Sequence, residues 1–152
     1  MAASVVRDIM TKNMVMIDYD KSALEAAKIM AEKGISSLFV VKDNRPVGIV
    51  TERDFIKKIC AEELPVSEVK MSDIMSKILT TADPDTPIEV AVQRMVNHKI
   101  RRLPIMDGGK LVGIITVTDL AKHLRTTLLV EGALSDSNNF DNMIATMDRD
   151  KY

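Results

Sequence analysis

Gly48-Ile49-Val50-Thr51-Glu52-Arg53-Asp54 recurs 65 positions later as Gly113-Ile114-Ile115-Thr116-Val117-Thr118-Asp119. In each copy an apolar run opens on Gly and closes on Thr, which reads as a short strand. Asp follows Thr by three positions, the spacing of a helix-opening box in which side-chain oxygens take the first backbone N–H groups. The stretch therefore predicts a strand running directly into a helix, twice.

The same shift, without a gap, aligns residues 6–55 with 71–120. Asp8-Ile9-Met10 falls on Asp73-Ile74-Met75, Ala26 and Met30 fall on Ala91 and Met95, and Val47-Gly48-Ile49 falls on Val112-Gly113-Ile114. Upstream of the quoted stretch, Ser37–Lys42 and Arg102–Met106 read as strands, with return strands at Val47–Val50 and Leu111–Ile115. The turns between them, Asp43-Asn44 and Asp107-Gly108-Gly109, use residues that tolerate positive φ. Ser22 with Glu25, and Thr86 with Glu89, have capping-box spacing, and Pro87 suits the first helical position. Behind them Ala23, Ala26, Ala27 and Met30 recur at helical spacing, as do Ile88, Ala91, Val92 and Met95. Gly34 supplies a stop for the first helix; Lys99 holds that place in the second copy, where the stop reads as less defined. Extended segments near Val15–Ile17 and Leu79–Thr81 precede the helices. The reading is an α/β (α+β) fold of two β-α-β-β-α modules packed with approximate twofold symmetry. Module 1 spans 5–61, a linker 62–69, module 2 spans 70–127, and an extension covers 128–152. In that extension Gly132–Asn139 reads as a loop and Asn142–Lys151 as a short helix with Met143, Ile144 and Met147 on one side.

Composition limits the function classes. Hydrophobic residues at 46% suffice for a core, and a formal net charge of −1 provides no basic field for nucleic acid or anionic membrane. Aromatic residues are few and Trp is absent, which disfavours a platform for stacked bases. A lone Cys60 excludes an internal disulfide and suits a reducing compartment. The opening MAASVVRDIM has no apolar signal region, and no apolar run approaches the roughly 18 residues of a membrane span. A cytoplasmic protein is expected. His98 and His123 stand apart from Cys60 and from each other, so no metal site is expected, and no phosphate-binding glycine loop is present. Nothing positions a nucleophile or redox group, so no enzyme and no catalytic cofactor are expected. Lys57-Lys58, Lys99 with Arg101-Arg102, and Lys122 with Arg125 read most simply as solvated basic faces.

The whole pattern over residues 5–125 resembles the CBS-domain (cystathionine-beta-synthase-domain) family, whose paired form is a Bateman module. The resemblance rests on Val6-Arg7-Asp8-Ile9-Met10-Thr11, Gly34-Ile35-Ser36-Ser37-Leu38-Phe39-Val40-Val41, Arg101-Arg102-Leu103-Pro104-Ile105 and the two Gly…Thr-x-x-Asp endings. It implies two related clefts that accept AMP, ADP or ATP, with S-adenosylmethionine ranked behind them. In the main cleft the resemblance gives Asp119 to ribose and Thr116 and Thr118 to phosphate, next to Ile114. Arg101 and Arg102 stand where a basic residue meets phosphate, and guanidinium forks suit phosphate oxygens. The opposite wall, from the first module, would be Thr11, Asn13, Val15, Ile35, Ser36 and Ser37. The second cleft would use Thr51, Arg53 and Asp54, faced by Ser76, Ile78, Thr80 and Ile100. Ser36-Ser37 replace Arg101-Arg102 there and Glu52 adds negative charge, so the Asp119 cleft is expected to bind more strongly.

A regulatory protein signalling a bound adenine nucleotide to an unidentified effector protein is the leading reading, with a homodimer implied by the resemblance. The alternative is a scaffold that dimerises through its helices and binds no small ligand. Helix capping alone also explains each Thr-x-x-Asp, so the site assignment depends on the wider pattern.

Overall fold

A computed structural model describes residues 4–130; the loop and helix read in the 132–151 region lie outside the described residues. Two compact units are present, one made of residues 13–79 and the other of residues 4–12 with 80–130. The division does not follow the sequence repeat. The segment that leads the first repeat belongs to the unit of the second, and the segment that leads the second repeat belongs to the unit of the first.

In the 13–79 unit, β1 (Met16–Asp18) is followed by α1 (Ala23–Lys33), β2 (Ser37–Lys42), β3 (Arg45–Thr51) and α2 (Glu52–Phe55). A π-helical turn, Ile56–Cys60, continues α2; α3 (Met71–Ile74) and β4 (Ser76–Lys77) then complete the unit. The sheet order is β1-β2-β3-β4, with β1 parallel to β2 and the other pairs antiparallel. Three of the four apolar positions read for α1 are buried, while Ala27 is only half-buried. Ala23, Ala26 and Met30 are buried against Leu38, Val40 and Val50 in one core. Ser22 closes the predicted box, accepting from Glu25 N at 3.2 Å while Ser22 N donates to Glu25 Oε2 at 3.0 Å. Residues 62–69 are built into this unit, since Val69 O accepts from Ala23 N at 2.7 Å and Val66 O from Leu24 N at 3.1 Å.

In the other unit a short 3-10 turn (Val6–Asp8) precedes α4 (Ile88–His98), β5 (Arg102–Asp107), β6 (Lys110–Thr116) and α5 (Val117–Val130). β5 and β6 form an antiparallel hairpin, with its register shift between Ile105 and Met106 at the repeat position of the shift between Val40 and Val41. The turn residues Asp43 (φ 52) and Asn44 (φ 62), and Gly108 (φ 58) and Gly109 (φ 81), have the positive φ values of tight two-residue hairpin loops.

Several expectations are corrected here. Thr86 and Glu89 form no capping box: Pro87, at the repeat position of Ser22, is the N-cap and has no side-chain donor or acceptor. The Thr86 hydroxyl instead accepts from Asp83 N at 3.1 Å and closes the preceding turn. The extended segment at Leu79–Thr81 forms no strand; the second copy has a single parallel bridge, Ala82 to Ile105. Val92 is 36% exposed, so α4 buries Ile88, Ala91 and Met95 alone.

The stop at Lys99 is as sharp as that at Gly34. Lys99 has φ 55 and ψ 41, against φ 63 and ψ 37 for Gly34. A side chain in that left-handed region is disfavoured by about 1 kcal/mol, and a Cβ on Gly34 meets nothing within 4 Å. Conformation alone therefore separates the two residues. Lys99→Gly is expected to stabilise the protein by about 0.5–1 kcal/mol and Gly34→Lys to destabilise it by about 1 kcal/mol, read as Tm shifts of opposite sign.

Candidate functional site

Thr116 ends β6 and Asp119 lies in the first turn of α5. Thr116 N donates to Asp119 Oδ2 at 2.9 Å and Asp119 N donates to Thr116 Oγ1 at 3.0 Å, a reciprocal box that fixes the carboxylate at the helix start. The capping role is therefore real, and it leaves Asp119 Oδ1 for another partner. Thr11 fills that place, donating from Oγ1 to Oδ1 at 3.1 Å and to Oδ2 at 3.3 Å. Thr11 is held there by main-chain bonds: Thr11 N donates to Ile114 O and Ile114 N to Thr11 O, each at 2.9 Å.

Gly113 makes this docking possible. A Cβ at Gly113 would meet Met10 Sδ at 2.6 Å and Thr11 O at 3.2 Å, so the leading segment lies on strand backbone that lacks a side chain. Next to the carboxylate, Thr118 Oγ1 is buried and has no hydrogen-bond partner. Arg102, on β5 opposite Thr116 in register, is 7% exposed, and Arg101 is half-buried with its carbonyl accepting from Val117 N at 3.0 Å.

The structure thus brings Thr11, Ile114, Thr116, Thr118 and Asp119 together, with Arg102 at the start of the neighbouring strand and Arg101 just before it. Thr11 was expected on the wall supplied by the first module; it belongs instead to the unit that carries Asp119. Asn13, Val15, Ile35, Ser36 and Ser37 lie in the 13–79 unit. There Ser37 pairs with Thr51 and Ser36 O accepts from Glu52 N at 3.0 Å.

In the 13–79 unit, Thr51 N donates to Asp54 Oδ2 at 2.9 Å, and Asp54 is 9% exposed. Ser76 on β4 lies opposite Ile49, and Ile78 N donates to Val47 O at 3.4 Å, so both reach the edge of β3. Thr80 and Ile100 belong to the other unit, and Arg53 is exposed. The sequence reading missed Lys58, taken as part of a solvated basic face. Its Nζ lies 2.9 Å from Asp54 Oδ1 and donates to Ile74 O at 2.7 Å. The Asp-to-Lys spacing of four on one helix was the available signal.

Each repeat thus ends a strand in a helix start bearing Thr and Asp, doubled in one chain. Residues 6–61 and 71–126 each match the CBS domain, and the chain belongs to the CBS-domain family as a tandem pair. It is 36% identical over 137 residues to the CBS domain-containing protein YhcV of Bacillus subtilis, covering 88% of this chain and 94% of YhcV. A protein of Methanopyrus kandleri is 38% identical over 117 residues, where the match spans 76% of this chain and 60% of the relative; a Methanocaldococcus jannaschii relative is spanned to 63%. Among solved structures, an uncharacterized conserved protein from Pyrococcus horikoshii superposes with TM-score 0.71 at 32% identity, covering 80% of this chain and 92% of that one. The hexameric CBS-CP12 protein of bloom-forming cyanobacteria gives TM-score 0.70 at 32% identity, covering 86% of this chain and 75% of that one. Homoserine O-acetyltransferase of Methanococcoides burtonii is matched over only 23% of its length, so that likeness carries no argument for catalysis. This chain is thus a CBS-pair protein. Among the described residues no helix is long and apolar enough to cross a membrane.

Proposed function

We propose that this chain binds an adenine nucleotide, AMP, ADP or ATP ahead of S-adenosylmethionine, with the ribose on Asp119. The supporting observation is that the first turn of α5 carries both the Asp119 carboxylate, fixed by Thr116 N, and the buried, unpartnered hydroxyl of Thr118. A buried polar atom without a partner calls for one, and a phosphate oxygen beside a helix start supplies an acceptor in a favourable field. The neutral Thr11 hydroxyl on Asp119 Oδ1 is the group that a ribose hydroxyl would replace, donor for donor. Arg102, at the start of the adjacent strand, and Arg101 just before it add positive charge.

The proposed site is carried by one unit; Asn13, Val15, Ile35, Ser36 and Ser37 belong to the other. The site around Asp54 is the weaker one, with Ser36-Ser37 in place of the arginines and Glu52 adding negative charge. A nucleotide would act by favouring one arrangement of the chain over another and so biasing an effector protein in the cytoplasm. We also propose a homodimer, supported by the exposed apolar side chains Val96 on α4 (64%) and Leu124 on α5 (52%).

Isothermal titration of AMP, ADP, ATP and S-adenosylmethionine into the purified protein, with light scattering for its mass, tests the reading. Saturable binding of an adenine nucleotide is the expected result. A folded dimer silent to all four ligands would overturn it and favour the scaffold, which the same exposed side chains support.

A further inference from the structure

We propose that Lys58 is a selectivity lock: its ammonium group occupies Asp54 and keeps the Asp54 site from accepting a ribose diol, so that the tandem pair binds one nucleotide per chain. This inference rests on the nucleotide reading above. The observation is the set of bonds around one carboxylate. Asp54 Oδ2 accepts from Thr51 N at 2.9 Å and from Thr51 Oγ1 at 3.3 Å, and Asp54 Oδ1 meets Lys58 Nζ at 2.9 Å. Both oxygens are thus engaged from within the unit.

Lys58 is itself fixed. Its Nζ also donates to Ile74 O at 2.7 Å, the carbonyl that ends α3. The segment that docks on β3 through β4 therefore provides the second anchor of the lock. The Asp54 side chain is 12% exposed and that of Lys58 43%. A bond between two charged groups at a mostly buried carboxylate is stronger than one between a charged and a neutral group, and a ribose hydroxyl offers only the neutral kind. Displacing Lys58 would also strand its ammonium from the Ile74 carbonyl. At Asp119 the leading segment offers the Thr11 hydroxyl, which a ribose hydroxyl matches in charge and donor number.

The position of Lys58 in the second copy is His123, which lines a surface cavity of about 510 Å³ with Ser4, Ile88, Glu89 and Val92. Lys58→Gln keeps an N–H donor on a side chain one bond shorter and removes the charge from Asp54.

Titration calorimetry with AMP, ADP and ATP on four proteins tests the lock: wild type, Lys58→Gln, Asp119→Ala, and Asp119→Ala with Lys58→Gln. Expected are one equivalent for wild type, two for Lys58→Gln, none for Asp119→Ala, and one regained in the double variant with affinity at least tenfold above that of Asp119→Ala. A circular dichroism melt on each establishes that it is folded; should Lys58→Gln unfold, Lys58→Arg with its longer reach is expected to bind one equivalent and Lys58→Met two. Two equivalents in wild type, or a single equivalent in a folded Lys58→Gln or Lys58→Met, overturns the lock and leaves the nucleotide reading standing. Silence in wild type and in every variant overturns both.

Discussion

Gly48→Ala is expected to destabilise the protein by about 2–3 kcal/mol, the upper part of the range for overpacking a tight contact, and Gly113→Ala by about 1–2 kcal/mol. The difference follows from what each new methyl would meet. At Gly48 it would lie 2.6 Å from Met75 Sδ and 2.9 Å from the main-chain Ser76 O. At Gly113 the corresponding distances are 2.6 Å to Met10 Sδ and 3.2 Å to Thr11 O. A methionine side chain can move aside; a carbonyl in the β3–β4 ladder cannot without loosening the ladder. Truncating the methionine should therefore rescue the two variants unequally. Met10→Ala in the Gly113→Ala background removes most of the clash, with a favourable coupling of about 1 kcal/mol in a double-mutant cycle. Met75→Ala in the Gly48→Ala background leaves the contact with Ser76 O and recovers less. Thermal melts of wild type, the four single variants and the two double variants check this, and equal losses with equal rescue would show that the docked segments tolerate displacement.

Asp119→Ala is expected to weaken adenine-nucleotide binding by at least about 100-fold, because two hydrogen bonds to a charged acceptor contribute roughly 1.5–3 kcal/mol each. The substitution also removes the acceptor for Thr116 N and Thr11 Oγ1, so a stability loss of about 1 kcal/mol accompanies it. Ser22→Ala separates the two effects. Ser22 caps α1 in the other unit, so its removal should cost about 1 kcal/mol of stability and leave affinity within twofold. Asp119→Asn keeps one acceptor oxygen and loses the charge, and is expected to fall between, near tenfold. Titration beside a denaturation curve for each variant gives both readouts. Parallel losses of affinity in Asp119→Ala and Ser22→Ala would reduce Asp119 to a cap.

Much of this was legible in the residues. The repeat, the β2 span Ser37–Lys42, the helix starts after Thr51 and Thr116, and the positive-φ turns were each dictated within a few neighbouring positions. Burial at Ala23, Ala26 and Met30 followed from helical spacing. Where two local signals competed, the outcome depended on geometry: Thr86 has the spacing for a box with Glu89, yet its hydroxyl closes the turn at Asp83 because Pro87 occupies the cap. Lys99 takes the left-handed stop without being glycine because α4 must end where β5 begins.

The sequence by itself determined two copies of a strand–helix pattern, their chemistry at Thr-x-x-Asp and the family to which they belong, since these reside in local spacing and residue type. Only the tertiary structure decided that the leading segments are exchanged, bringing Thr11 onto Asp119 and the Ile74 carbonyl onto Lys58. Thr11 and Asp119 are 108 positions apart, and no local preference links residues at that distance. What joins them is the docking of Met10 on the bare backbone of Gly113 and the paired main-chain bonds between Thr11 and Ile114, interactions that exist only once the strand they need has formed.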